Sequence, residues 1–183
     1  MLLYVGRLDA GKGVQYLIEA FKKIAETERD CHLYIIGNGN FNDFLPLCYP
    51  LWRRISFCGK VLPKEVADFY RMSDIGILPS LTEQCSFVAI EMLMHGLPFI
   101  GTDSSGLDEM IIEGVNGYKI HLLEKEDRID FPVEELSSRL DLLMRSASLK
   151  KYEEQSRNLY LQKYTFERMQ DKLCQLYTFC FEG

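Results

Sequence analysis

The chain has 183 residues, 47% hydrophobic and 26% charged, the profile of an ordinary globular domain with a core of its own. A formal net charge of -6 argues against nucleic acid or an anionic membrane surface as the main partner. No run approaches a membrane span and no signal peptide is visible, so the six cysteines, at 31, 48, 58, 85, 174 and 180 without CxxC spacing, read as reduced thiols of a cytoplasmic protein. The three histidines stand far apart and offer no zinc-type cluster, so no metal site is expected.

The elements alternate. Residues 2–6, LLYVG, form a short apolar run suited to a buried strand. A helix follows, with Val14, Leu17, Ile18, Phe21, Ile24 and Ala25 on one face. HLYIIG (32–37) is the second strand, closed by the turn-rich GNGN, and ISFCG (55–59) the third. Residues 63–73 read as a helix opened by Pro63, and 74–80 as a fourth strand. A helix over 86–96 stops at Gly96 and Pro98; then come a strand at 98–103, a helix at 105–114 and a last strand at 116–122. The polar EKEDRID (124–130) reads as a surface loop, and residues 132–181 are helical in pattern. Alternation through residue 122 predicts a three-layer α/β/α sandwich with a parallel, Rossmann-like sheet plus C-terminal helices. Ligands in such sheets bind at the carboxyl ends of the strands.

Three stretches there suggest anion binding. The opening loop has Gly6, Gly11 and Lys12 at phosphate-loop spacing, but Gly13 stands where that loop needs a magnesium-binding hydroxyl. It still offers Arg7 and Lys12, either as two solvated cations or as a metal-free clamp for a diphosphate. GNGNFN (37–42) follows a strand as a dinucleotide fingerprint does, yet Asn42 replaces the third glycine and no acid follows the next strand. Gly37 and Gly39 therefore mark either a tight turn against a ligand or a plain turn.

The third stretch, TEQCSFVAIEMLMHG (82–96), carries most chemistry. Its helix is apolar nearly all round and is expected to be largely buried, with Glu91 as its single charge. A buried carboxylate needs a hydrogen-bond partner or a ligand. Glu83 lies just before the helix, and the N–H groups near Cys85, Ser86 and Phe87 form a potential anion site. The alternatives are a helix-dipole role for Glu83 and a partly solvated Glu91.

Taken in order, GRLDAGKGVQYLIEAF, YIIGNGN, ISFCGKV, FYRMSDIGILPSLTEQCSFVAIEMLMHGLPFIGTD, GLDEMIIEGVNGYKI and YTFERM resemble a retaining, nucleotide-sugar-dependent glycosyltransferase of family 4. The similarity is to the C-terminal, donor-binding domain of its GT-B fold and covers almost the whole chain. The resemblance implies that Arg7 and Lys12 hold the donor diphosphate without metal, that Glu91 accepts from ribose hydroxyls and that Glu83 faces the donor sugar. It further implies that the N–H groups of Ser86 and Phe87 touch phosphate, and that Gly37–Gly39 and the backbone at Lys60 and Val61 border the base. No cofactor is implied beyond a UDP-, GDP- or ADP-sugar as substrate.

Two departures stand out. Ser86 and Ser105 replace glycines of the family pattern, and Ser86 is expected to narrow the sugar pocket. The pattern also begins at the first strand of the second GT-B domain, so the N-terminal acceptor domain is expected to be missing and the isolated chain to bind donor and transfer little. The final helix, with Phe166, Met169, Leu173, Leu176, Tyr177 and Phe179–Phe181, carries more apolar surface than one small domain needs, which predicts an exposed patch with self-association or fraying of the last turns, the alternative being a helix folded onto its own domain. The alternatives are a regulatory nucleotide-binding module, or another GT-B activity such as an epimerase or phosphorylase.

Overall fold

The computed structural model describes the backbone of residues 1–181 and the side chains of residues 1–178. Six strands form one parallel sheet: β1 (Leu2–Val5), β2 (Leu33–Ile36), β3 (Ile55–Gly59), β4 (Ile75–Leu78), β5 (Phe99–Thr102) and β6 (Gly117–Ile120). Their spatial order is β3-β2-β1-β4-β5-β6. The chain runs outward from β1 in one direction, then returns to place β4 on its other side, so the strand order reverses between β1 and β4. The crevice beyond the carboxyl ends of those two strands is where such sheets take ligands.

Alternation along each strand builds two cores. Leu2 and Tyr4, Leu33 and Ile35, and Ile75 and Ile77 face one side; Leu3, Ile36 and Leu78 face the other. The first side is covered by α1 (Val14–Thr27) and α5 (Val133–Met144), the second by α2 (Pro63–Met72), α3 (Phe87–Met94) and α6 (Leu149–Lys163). This is the expected three-layer sandwich. The predicted apolar face of α1 is buried throughout, with Ala20 added to it. Pro63 opens α2 as expected, and Glu65 accepts from the Leu62 N–H at 2.9 Å to complete the start.

Three expectations need correction. α3 is not buried all round: Ala89, Met92 and Leu93 enter the core, but Phe87 is 74% exposed, and Glu91 and Met94 are exposed on the same face. An apolar composition cannot show that one face of a helix lines an open cleft. The helix expected over 105–114 is a single turn, α4 (Ser105–Asp108). Asn116, fully buried, accepts from the Ile112 N–H at 2.7 Å and donates to the Met110 carbonyl at 2.9 Å, holding the following loop in a non-helical path. The polar stretch 124–130 is not a plain loop but a small antiparallel hairpin, β7 (Leu123–Glu124) with β8 (Ile129–Asp130), tied by ion pairs from Lys125 and Arg128 to Asp130. Between β2 and β3, residues 41–54 contain three short 3-10 turns.

The last helix, α7 (Phe166–Phe181), stands off the body, and every one of its described side chains is exposed. Phe166, Met169, Leu173, Leu176 and Tyr177 lie along it at helical spacing; the side chains of Phe179–Phe181 fall outside the described residues. Among the described residues, no helix is long and apolar enough to cross a membrane. The five cysteines with described side chains are free thiols.

Candidate functional site

The loop after β1 carries the first part of the site. Gly6 N–H donates to the Ile36 carbonyl at 2.9 Å and Leu8 N–H to the Asn38 carbonyl at 2.8 Å, so the glycine turn after β2 braces the loop after β1. Gly37 has a φ of +148° and lies so close that a Cβ there would stand 1.7 Å from the Gly6 carbonyl oxygen. Gly37 and Gly39 thus set the path of the β1 loop, and neither lines the two cavities described below. Asp9 caps the next turn by accepting from the Lys12 N–H at 3.0 Å. Gly13 closes that turn with a φ of +69°, and a Cβ there would meet the Pro79 carbonyl oxygen at 2.0 Å. No serine or threonine fits this position, which removes the magnesium-dependent phosphate-loop reading on steric grounds.

Two loops from elsewhere in the sheet complete the site. After β4, Leu81 N–H donates to the Gly11 carbonyl at 2.9 Å, which fixes that loop to the first. Gly106 on α4 then holds Glu83 from behind: its N–H donates to the Glu83 carbonyl at 2.8 Å, and a Cβ there would lie 2.4 Å from the Gln84 carbonyl carbon. Ser105 adds a hydroxyl donor to the same carbonyl at 3.3 Å. The side chain of Ser86 turns back to accept from the Ala89 N–H at 3.2 Å. It therefore caps α3 from the border of the cavity described next. The cap leaves the N–H groups of Phe87 and Val88 without intrahelical acceptors.

These parts converge on a cavity of about 270 Å³ bordered by Arg7, Lys12, Glu83, Ser86 and Phe87 over a floor of Tyr4, Val5 and Leu78. Lys12 Nζ lies 2.6 Å from Glu83 Oε2, with the two side chains 22% and 16% exposed. Arg7 is 77% exposed and touches Asp9 at only 3.4 Å, so its guanidinium is available at the mouth. Tyr4 lies beneath, donating its O–H to the Arg7 carbonyl at 2.6 Å; burial, helped by the charges of Asp9 and Glu83, pushes its phenol pKa up and keeps it a donor.

A second cavity of about 330 Å³ shares Val5 with the first and is lined by Val61, Pro63, Tyr70, Glu91, Met94 and His95. Val61 and Glu91, which the family resemblance assigns to base and ribose, both line this cavity, beside Tyr70, which the sequence did not single out. Burial, followed by the charges of Arg71 and Arg157, pushes the His95 pKa down against the opposing pull of Glu91. A third and larger cavity, about 620 Å³, opens on the far side of Glu83 between Asp103, Ser104 and the β7–β8 hairpin. Among the described residues, no group of three His, Cys, Asp or Glu side chains is gathered as a metal site.

The model of glycosyl transferases group 1 matches residues 1–136. The chain belongs to that family. An uncharacterized glycosyltransferase of Methanocaldococcus jannaschii is 37% identical over 124 residues, covering 66% of this chain and 32% of its own. Among solved structures, the C-terminal domain of a glycosyl transferase group 1 family protein from Francisella tularensis superposes with a TM-score of 0.75 at 22% identity, covering 90% of this chain and 86% of that one. Anabaena HepE in complex with UDP gives a TM-score of 0.82 at 16% identity, covering 97% of this chain and 48% of that one. These superpositions place the fold among GT-B glycosyltransferase domains. This group 1 chain spans a third to a half of the length of the curated relatives it matches, 32% to 48% in the first three.

Proposed function

We propose that the chain is the C-terminal, donor-binding half of a family 4 retaining glycosyltransferase, which moves a sugar from a nucleotide diphosphate to an acceptor hydroxyl in polysaccharide or glycan synthesis. The observation that carries this reading is the convergence of Arg7, Lys12 and the α3 N-terminus on one cavity at the strand-order reversal, with Glu83 at its edge and Glu91 in the adjoining cavity. Two cations and a helix N-terminus suit a diphosphate; a carboxylate one cavity away suits the ribose hydroxyls. The complex of Anabaena HepE with UDP is in keeping with this reading.

In the parent reaction the bond between sugar and diphosphate breaks, and negative charge grows on the leaving diphosphate. Arg7, Lys12 and the Phe87 and Val88 N–H groups stabilise that charge where it develops. Lys12 exchanges its contact with Glu83 for the phosphate, which leaves the Glu83 carboxylate to face the sugar. The acceptor and the rest of the catalytic apparatus belong to an N-terminal domain. A cytoplasmic location is in keeping with a nucleotide-sugar donor.

Calorimetry with UDP, GDP and ADP, each with and without EDTA, tests the reading. Binding to one of the three, unaltered by EDTA, is expected. Strict dependence on magnesium would remove the clamp role of Arg7 and Lys12.

A further inference from the structure

Tyr70 lies on α2 and is only 3% exposed, yet its hydroxyl leaves the core to donate a 2.7 Å hydrogen bond to Oε2 of Glu91 on α3. Its ring stacks on His95, with centroids 5.5 Å apart and planes inclined by 21°, so the donor is fixed at its base. Burial, then the hydrogen bond to Glu91 and its charge, push the phenol pKa up, and the group stays protonated. Glu91, by contrast, is exposed. An unrestrained glutamate on an open helix face samples several rotamers, and a ligand must select one of them. The bond from Tyr70 occupies one lone pair of Oε2 and leaves Oε1 and the remaining Oε2 capacity as acceptors. Tyr70, His95 and Glu91 all line the second cavity.

We propose that Tyr70 is the positioning residue for the nucleoside end of the site: its hydroxyl holds the Glu91 carboxylate in the rotamer that accepts from the ribose. The inference rests on the reading that Glu91 meets ribose hydroxyls. Tyr70 touches no ligand itself. It prepares the carboxylate before the ligand arrives, so its contribution depends on there being hydroxyls to receive.

The test compares the tightest-binding diphosphate among UDP, GDP and ADP with its 2′,3′-dideoxy counterpart on the intact chain. Tyr70→Phe, which keeps the ring and its packing, should lower affinity for the ribose form roughly three- to tenfold, about the worth of one net hydrogen bond, and leave the dideoxy form unchanged. In a Glu91→Ala background the same substitution should change neither. An equal fall for both ligands, or the same fall in the Glu91→Ala background, would overturn the inference and leave Tyr70 a packing residue. If Tyr70→Phe melts early, Glu91→Asp, which withdraws the carboxylate by one methylene on an exposed side chain, puts the same question; no loss of ribose preference there overturns the inference. A chain that binds none of the three diphosphates removes the nucleotide reading and this inference with it. A chain that binds ribose and dideoxy forms alike removes the ribose role of Glu91.

Discussion

Arg7 and Lys12 are five positions apart on one loop but in different electrostatic settings. Arg7 is solvent-exposed beside a loose Asp9 contact, whereas Lys12 is mostly buried against Glu83. Arg7→Ala should therefore weaken diphosphate binding with no change in melting temperature. The loss belongs to a charge-assisted bond, about 1.5–3 kcal/mol, and calorimetry reads it directly. Lys12→Ala should weaken binding similarly and also lower the melting temperature, because it leaves the Glu83 carboxylate without its partner. Unchanged affinity in both variants would dismiss the clamp. Glu91→Gln should weaken nucleosides as well as nucleotides; an effect confined to sugar-bearing donors would exchange the roles of Glu83 and Glu91. The charged residues were legible in the sequence because each stands alone at a strand end or on an apolar helix. Tyr70 was not, since nothing in a single helical stretch shows that its hydroxyl reaches a second helix. Ser86 was visible, but its capping bond was not, because a serine at a helix start can satisfy the backbone as well as border a ligand.

At the level of elements, backbone packed on backbone governs the site. Gly13→Ser would force a side chain into a left-handed turn against the Pro79 carbonyl, and unfolding by denaturant should show a loss of at least about 1–3 kcal/mol without any gain of magnesium dependence. Gly106→Ala would push α4 off the Glu83–Gln84 backbone and should reduce donor affinity while leaving nucleoside affinity nearly intact. Two histidines carry a pH signature. His95 and His32 both have pKa values lowered chiefly by burial, so the folded state favours their neutral forms. Their contribution is fully present above the unfolded value of about 6.5 and is lost as pH falls from there through the folded values. Melting temperature measured across this window should fall less steeply in His95→Gln than in the unmodified chain. The sheet strands and α1 were legible because short apolar runs and a 3.6-residue stripe leave little choice of element. The β7–β8 hairpin was not: Asp130 holds it through Lys125 and Arg128, and charge alone reads as solvent exposure.

On the scale of the whole molecule, α7 is the open question that the fold poses to itself. Its stripe from Phe166 to Tyr177 is about half exposed or more at each position. An apolar stripe left open to solvent in this way should drive self-association through the helix. Light scattering should show a larger species for the full chain than for a version ending before Thr165; monomers in both cases would remove the idea. The sequence announced this surplus of apolar surface, but not that every described side chain of the helix would be exposed. The crevice has a different relation to the whole. Leu8 and Val14, the latter opening α1, anchor the Arg7–Lys12 loop in one core, whereas α3 is rooted in the opposite core through Ala89, Met92 and Leu93. A diphosphate held by both is a cross-brace between two independently packed slabs. Occupancy then reports on both slabs at once, and a repacking error deep in either one surfaces first as lost affinity, long before the chain unfolds.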